Sequence, residues 1–77
     1  MLQHPSADAV FDALGDGTRR AILERLTLGP ASATALAQPL GVTVAAVLQH
    51  VRVLEESRLV TTSKEGRVRV CSLEQEG

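Results

Sequence analysis

The sequence is poor in aromatic residues and in cysteine, and each shortage excludes a class of function. Phe11 is the only aromatic residue among the 77, since tryptophan and tyrosine are absent. Without aromatic platforms on which bases stack, single-stranded nucleic acid is a poor candidate ligand. Cys71 is the only cysteine, which excludes an internal disulfide and a metal cluster built from cysteine alone. A lone cysteine also fits a reducing compartment.

Long apolar runs and catalytic residue sets are missing as well. No stretch of about 18 apolar residues is present, so we expect no membrane span. The N-terminus lacks the basic and apolar regions of a signal peptide, which favours a cytoplasmic location. No serine–histidine–acid set, phosphate-binding loop or catalytic pair of carboxylates is visible. We therefore predict that the chain is not an enzyme and uses no cofactor or metal.

The net charge of −1 counts against a nucleic-acid ligand, because nucleic-acid-binding domains are usually basic. The distribution of the charges reduces this objection. Between positions 58 and 69 the sequence has one anion, Glu65, and four cations, namely Arg58, Lys64, Arg67 and Arg69. A basic patch on a nearly neutral domain can bind a few phosphates, weakly and with strong dependence on salt.

Apolar residues recur at helical spacing in four segments and then at strand spacing. The pattern predicts helices over about 7–15, 17–28, 33–40 and 43–57. The residues expected to cap them are Ser6, Asp16, Ser32 and Thr43. Alternation over about 59–73 predicts a hairpin with a loop at 64–66. We predict one mostly α domain over 1–77 with a small β-hairpin: a winged helix-turn-helix of three helices, a recognition helix and a two-stranded wing.

The helix over 43–57 is the stretch around which we expect the chain to be organised. Val47, Val51 and Leu54 recur at i, i+4 and i+7 and predict a buried face. The other side is largely uncharged in its N-terminal half, and a DNA major groove about 12 Å wide admits one helix. We predict DNA contacts from the outward residues, which are Thr43, Val44, Ala45, Leu48, Gln49, His50 and Arg52.

Particular base contacts follow from the chemistry of these side chains. Gln49 can pair with N6 and N7 of adenine, and Val44 or Ala45 can touch a thymine methyl group. The alternative for these residues is an ordinary solvated surface. Leu48 either packs on DNA or fills the groove between helices.

The wing offers a second set of contacts. Lys64, Arg67 and Arg69 are candidates for contacts to phosphates or to a narrow minor groove, and Arg67 is the first choice. The alternative interpretation is that these three residues only form the solvated, charged face of a hairpin. We interpret Cys71 as a small hydrophobic residue rather than a redox or metal-binding group.

Several spaced motifs together resemble the ArsR family of winged-helix repressors and cover nearly the whole chain. They read FDALGDGTRRAIL at 11–23, LA at 36–37, VLQHVRVLE at 47–55, LV at 59–60 and EGR at 65–67. The resemblance implies a bacterial regulator that binds double-stranded DNA as a homodimer. Its two recognition helices would enter successive major grooves of a palindromic operator, so the protein would lie on the nucleoid when bound. The resemblance also implies that His50 either bonds a phosphate or supports local packing.

Departures from the family narrow this prediction. Metal-sensing members have a cysteine pair in the helix before the recognition helix, whereas the segment 32–37 has none. Other members bind metal on a C-terminal helix, for which we expect no counterpart before Gly77. The chain therefore resembles the metal-independent branch, with an unknown inducer. In the family, the same C-terminal helix normally forms part of the dimer interface. We therefore expect the apolar face of Val10, Phe11 and Leu14 to form the dimer interface, or else to belong simply to the core.

One further departure concerns backbone conformation. The family usually has glycine before the Leu-Val that opens the wing, because the helix ends there in a left-handed residue. In this sequence the position is Arg58. A residue other than glycine in that conformation costs about 1 kcal/mol.

Two alternatives to a repressor remain open. The first is a winged helix that binds protein, which the apolar Val44, Ala45 and Leu48 and the negative net charge favour. The second is a truncated regulator domain that lacks its C-terminal dimerisation helix and stays monomeric.

Overall fold

The computed structural model describes residues 15–74, which form helices followed by a hairpin. The elements are α1 (Gly17–Leu26), β1 (Ala31–Ser32), α2 (Ala33–Leu40), α3 (Val44–Glu56), β2 (Val60–Glu65) and β3 (Val68–Leu73). The winged helix-turn-helix architecture predicted from the sequence is confirmed. The helix predicted over 7–15 lies outside the described residues except for its last position.

Each described helix begins where a short polar side chain replaces a missing backbone acceptor. The Asp16 carboxylate accepts hydrogen bonds from the backbone N–H groups of Thr18 (2.8 Å) and Arg19 (3.1 Å). Ser32 and Thr43 each accept one backbone N–H, three residues further on, at 3.0 Å. These bonds satisfy donors that the first turn of a helix leaves unpaired, so three of the four predicted caps are confirmed, and the fourth, Ser6, lies outside the described residues.

The predicted end of the first described helix is wrong by two residues. We expected it to reach position 28, but α1 ends at Leu26. The N–H groups of Leu28 and Gly29 bond the carbonyls three residues back, those of Arg25 and Leu26, at 3.1 Å each. Bonds of this spacing tighten the chain into a turn and prevent another α-helical turn.

The core is organised around α3. Val47 and Leu54 are fully buried and Val51 is 2% exposed, which confirms the face predicted from their spacing. They belong to one apolar cluster that draws on every described element except the outer half of the hairpin. Its other members are Ile22, Leu26, Ala31, Ala33, Leu36, Ala37, Val60 and Cys71.

A sharp turn at Gly41 sets the direction of α3. Gly41 is left-handed, with φ of 67°, and its N–H bonds the Gln38 carbonyl at 3.2 Å while the Val42 N–H bonds the Ala37 carbonyl at 3.3 Å. This pair of bonds is a Schellman motif, which ends a helix at a left-handed residue. The axes of α2 and α3 differ by 111° across the turn, within the usual range of a helix-turn-helix.

The same 111° bend bears on membrane insertion. Among residues 15–74 no single helix is long and apolar enough to cross a bilayer. The pair α2 and α3 meets the length and composition criteria only when the two helices are counted together across this bend.

The end of α3 repeats the Schellman motif without glycine. The Leu59 N–H bonds the Leu54 carbonyl at 2.9 Å, and the Arg58 N–H bonds the Glu55 carbonyl at 3.0 Å. Arg58 has φ of 63°, so the left-handed conformation expected at this position is confirmed. Leu59 then packs against the core and fixes the start of the wing.

The hairpin differs from its predicted form at the loop. We placed Lys64, Glu65 and Gly66 in the loop, but Lys64 and Glu65 belong to β2, and Glu65 pairs with Val68. The loop is therefore Gly66-Arg67, with φ of 66° at glycine. Glycine with positive φ at the first of two loop residues is typical of a type II′ turn, whose twist matches the flanking strands.

A third strand was not predicted. β1 has only two residues and pairs antiparallel with β3, so that Ala31 lies opposite Cys71 and the sheet order is β1-β3-β2. Cys71 is fully buried, whereas Val68 is 47% exposed. The face of β3 that meets the helices therefore contains Arg69, Cys71 and Leu73, because alternate residues of a strand share a face.

Replacing Arg58 with glycine is expected to stabilise the protein. Relief of the left-handed conformation is worth about 1 kcal/mol, or roughly 4–8 °C in melting temperature for a domain of this size. Thermal and urea unfolding followed by circular dichroism would measure the change.

The matched control is Gly41→Ala, which places a side chain at a position of nearly the same φ. No atom lies within 4 Å of a Cβ built on Gly41, so its effect isolates backbone strain. This variant should lose about 1–2 kcal/mol. Equal melting temperatures for Arg58→Gly and the wild type would contradict the assigned strain.

Candidate nucleic-acid interface

The outer surface of α3 is exposed and carries no acidic or basic charge over the first two turns of the helix. Thr43, Val44, Ala45, Leu48 and Gln49 are all exposed, and the apolar Val44 and Leu48 retain 38% and 39% of their surface. Because Val47, Val51 and Leu54 hold the opposite side in the core, these residues are presented together on one side of a rigid helix. Exposed apolar groups among polar ones can touch thymine methyl groups, and Gln49 can read a base edge.

Arg52 continues this surface by one turn. It is exposed on α3, one helical turn beyond Leu48, and it is the first charged residue on the outward side of the helix. A cation at this position suits the sugar-phosphate backbone at the edge of a groove better than its floor.

His50 faces α1 instead of the outer surface. Its Nδ1 lies 3.3 Å from Nη1 of Arg19, and the ring is half-buried. A guanidinium only donates hydrogen bonds, so the contact requires Nδ1 to accept and places the ring proton on Nε2. The contact favours the packing role that we left open for His50, and it leaves Nε2–H as a donor.

Arg19 was not singled out in the sequence, because no local pattern links α1 to a residue 31 positions later. Its backbone N–H is the largest of the influences that hold the pKa of Asp16 below its usual value, with smaller contributions from the backbone N–H of Thr18 and the charge of the Arg19 guanidinium. Asp16, Arg19 and His50 therefore form a polar link between the start of α1 and the middle of α3.

The tip of the wing is basic on the side that faces α3. Lys64 lies directly opposite Arg69 in the hairpin, and both side chains are exposed. Like charges opposite each other in a sheet repel, and a bound anion would offset that repulsion. Arg67 occupies the loop itself, so it does not share a strand face with Arg69.

A crevice separates α3 from the wing. It has a volume of about 230 Å³ and is lined by Leu48, Val51, Arg52, Glu55, Thr62 and Arg69. The Thr62 hydroxyl donates to Oε2 of Glu55 at 2.8 Å, and Nη1 of Arg69 donates to the Thr62 hydroxyl at 3.3 Å. Arg69 is therefore engaged within the protein. Neither Glu55 nor Thr62 was predicted to belong to the site.

Two other predictions concern residues away from this surface. Val10, Phe11 and Leu14, the candidate dimer face, lie outside the described residues, so their role stays a prediction. Within the described part of the chain, no three histidine, cysteine or acidic side chains are grouped closely enough to hold a metal ion.

Comparisons with known proteins agree with this geometry. Residues 14–63 match the family described as "Helix-turn-helix domain". The HTH-type transcriptional regulator Rv2034 of Mycobacterium tuberculosis is 46% identical over 77 residues, which is 100% of this chain and 72% of the relative.

Solved structures show the same likeness. The crystal structure of the ArsR family transcriptional regulator RHA00566 is 43% identical, with a TM-score of 0.81 over 88% of this chain and 70% of that one. The solution structure of Mb0332 from Mycobacterium bovis, a homodimeric winged helix-turn-helix DNA-binding domain, is 25% identical. Its TM-score is 0.81, over 87% of this chain and 62% of that one.

The fold, the exposed helix and the basic wing are those of a DNA-binding winged helix-turn-helix protein. The relatives show that the class is that of transcriptional regulators and not of enzymes. Within that class, the chain belongs to the ArsR family of winged-helix regulators, as its motifs predicted.

The Cys71 thiol is expected to be unreactive in the folded protein. Burial raises its pKa, and the negative charge of Glu55 raises the pKa further, so the thiolate that reacts with disulfide reagents is scarce near pH 8. Reaction with a chromogenic disulfide should be at least about 100-fold slower in the native protein than in guanidinium chloride, since it requires opening of the core.

A Cys71→Ser variant, which should give no signal, is the blank for this measurement. Equal rates in the native and denatured proteins would mean that Cys71 is accessible and would reopen a redox role for it.

Proposed function

We propose that this regulator is a repressor that binds a palindromic operator as a homodimer and blocks transcription by occupying a promoter. Each protomer would place α3 in a major groove and the wing tip on the neighbouring backbone or minor groove. The observation that carries the proposal is the division of α3 into a buried face and an uncharged exposed face beside a cationic hairpin.

The proposed contacts fall into two kinds with different consequences. Thr43, Val44, Ala45, Leu48 and Gln49 would meet base edges and so determine sequence preference. Lys64, Arg67 and Arg52 would meet phosphates, which position the protein and contribute affinity without reading sequence. His50 could add a phosphate contact through Nε2, the nitrogen that does not face Arg19.

The homodimer is supported by the fold of Mb0332, which is homodimeric in solution. Two copies of one recognition helix related by a two-fold axis require two half-sites in inverted repeat, about one helical turn of DNA apart. Sedimentation equilibrium should therefore give twice the chain mass of 8.2 kDa at concentrations where DNA is bound. A monomer at all concentrations would remove the dimer from the proposal and leave single-site DNA binding to be tested separately.

Gln49→Ala should weaken binding to an operator selected from random duplexes by about 10-fold or more, since a bidentate base contact is worth about 1–3 kcal/mol. Binding to unrelated duplex should stay unchanged. The Gln49→Ala protein should also discriminate less between bases at a single position in each half-site of the operator. Fluorescence anisotropy with both duplexes measures the two affinities.

The matched control is Gln38→Ala, an exposed glutamine on α2 outside the proposed contacts. Equal losses on operator and unrelated duplex for Gln49→Ala would exclude it from base reading.

Arg67→Ala should weaken binding to operator and unrelated duplex alike. The slope of log affinity against log salt should fall by about 0.9, because one fewer phosphate is neutralised. Arg25→Ala removes a cation from α1 and should leave the slope unchanged.

The salt series also tests the alternative of a protein-binding winged helix. Wild-type protein whose binding to duplex DNA is absent or independent of salt would contradict the repressor proposal. That result would favour a partner recognised through Val44 and Leu48, which are the exposed apolar groups of α3.

A further inference from the structure

The polar chain through Thr62 joins the recognition helix to both strands of the wing. Glu55 comes from α3, Thr62 from β2 and Arg69 from β3, and the Thr62 hydroxyl is the central member of the chain. The hydroxyl donates its proton to the carboxylate and accepts a bond from the guanidinium, so its hydrogen-bonding capacity is used in both directions.

The position of these hydrogen bonds along the hairpin matters more than the strength of each bond. Val60 and Cys71 hold the base of the hairpin in the core, and Thr62 is the next residue on the same side of β2. Thr62 is half-buried, whereas every β2 residue beyond it is exposed. The Thr62 bonds therefore link α3 to the wing at the point beyond which the strands extend into solvent.

The charges at this link fit a positioning role better than direct contact with DNA. Glu55 is an acid beside a surface that would face phosphates, where an unengaged carboxylate would oppose binding. Its bond with Thr62, and through Thr62 with Arg69, gives the carboxylate a partner and draws Arg69 towards α3. Lys64 and Arg67, nearer the tip, are then the wing cations presented outward.

We propose that Glu55, Thr62 and Arg69 are positioning residues that fix the angle between the wing and α3. With the angle fixed, the wing tip reaches the DNA backbone when α3 lies in the groove, and less ordering is required on binding. This inference rests on the proposed function, because it concerns the simultaneous contact of helix and wing with one duplex.

The first test compares Thr62→Val, which removes the hydroxyl and keeps the shape, with Thr62→Ser, which keeps the hydroxyl. Thr62→Val should bind the operator about 5- to 10-fold more weakly, whereas Thr62→Ser should stay within about two-fold of wild type. The salt slope should be unchanged in both, since neither loses a phosphate contact. Hydroxyl-radical footprints of Thr62→Val at saturating concentration should keep protection under both α3 and the wing, because the weaker affinity reflects extra ordering on binding and not a lost contact.

Glu55 supplies a second matched pair. Glu55→Gln keeps an oxygen that accepts from Thr62 and should bind the operator about as well as wild type, or better because a negative charge is gone. Glu55→Ala loses the acceptor and should lose operator affinity, as Thr62→Val does. Opposite results, with Glu55→Ala binding more tightly than wild type, would mean that Glu55 acts only through its charge and would overturn the proposal.

A variant at Arg69 distinguishes a positioning role from direct contact with a phosphate. A positioning role predicts that Arg69→Ala leaves the salt slope unchanged and that its loss of affinity is not additive with that of Thr62→Val. A slope reduced by about 0.9, with additive losses, would assign Arg69 to phosphate contact and overturn the proposal.

Folding and the proposed function are controlled separately. Valine is a good strand residue, so Thr62→Val should fold, and its melting curve and far-ultraviolet spectrum establish this before binding is measured. Wild-type protein that shows no salt-dependent DNA binding would overturn the proposed function and this inference together. Wild-type binding with an unaffected Thr62→Val variant would overturn the inference alone.

Discussion

The burial of one side of α3 is the constraint on which the rest of the structure depends. Val47, Val51 and Leu54 form the middle of the apolar cluster, and the other described elements are arranged around them. Burying a side chain of this kind contributes about 1.5–3 kcal/mol, and a whole domain has a net stability of only about 5–15 kcal/mol. The same helix that holds the fold together therefore fixes the orientation of Thr43, Val44, Leu48 and Gln49, the exposed residues that we propose to read DNA.

Polar contacts with two neighbouring elements also hold α3 in position. His50 connects α3 with Arg19 of α1, and Glu55 connects it through Thr62 with the wing. Individual exposed hydrogen bonds contribute little to stability, so their effect should be sought in geometry. Arg58 acts in the same region through the backbone: it accepts a left-handed conformation so that Leu59 can turn back into the core and start β2.

Local patterns in the sequence were sufficient for the helices and insufficient for the sheet and the contacts between elements. The caps at Asp16, Ser32 and Thr43 and the buried face of α3 depend on neighbouring residues, and all were predicted correctly. The left-handed conformation of Arg58 was expected from the family resemblance and is also confirmed. β1 was missed because two residues carry no periodicity and form a strand only by pairing with β3. The loop was misplaced because Lys64 and Glu65 are polar residues that fit a loop as well as the outer end of a strand, and only the pairing of Glu65 with Val68 shows where the chain turns. Arg19–His50 and Glu55–Thr62–Arg69 need a tertiary structure before they can be seen at all, and for the residues before position 15 the predictions stand as made.

Joint binding of one duplex by the exposed face of α3 and the wing tip is tested most directly by amide chemical shifts, measured by NMR during a titration with short duplex DNA. The largest changes should fall on the amides of 43–52 and 64–69, within one binding event of common affinity. Changes around Leu23 and Leu59, which line a groove on a different part of the surface, should be small. Changes centred on that groove, with residues 43–52 unaffected, would contradict joint binding.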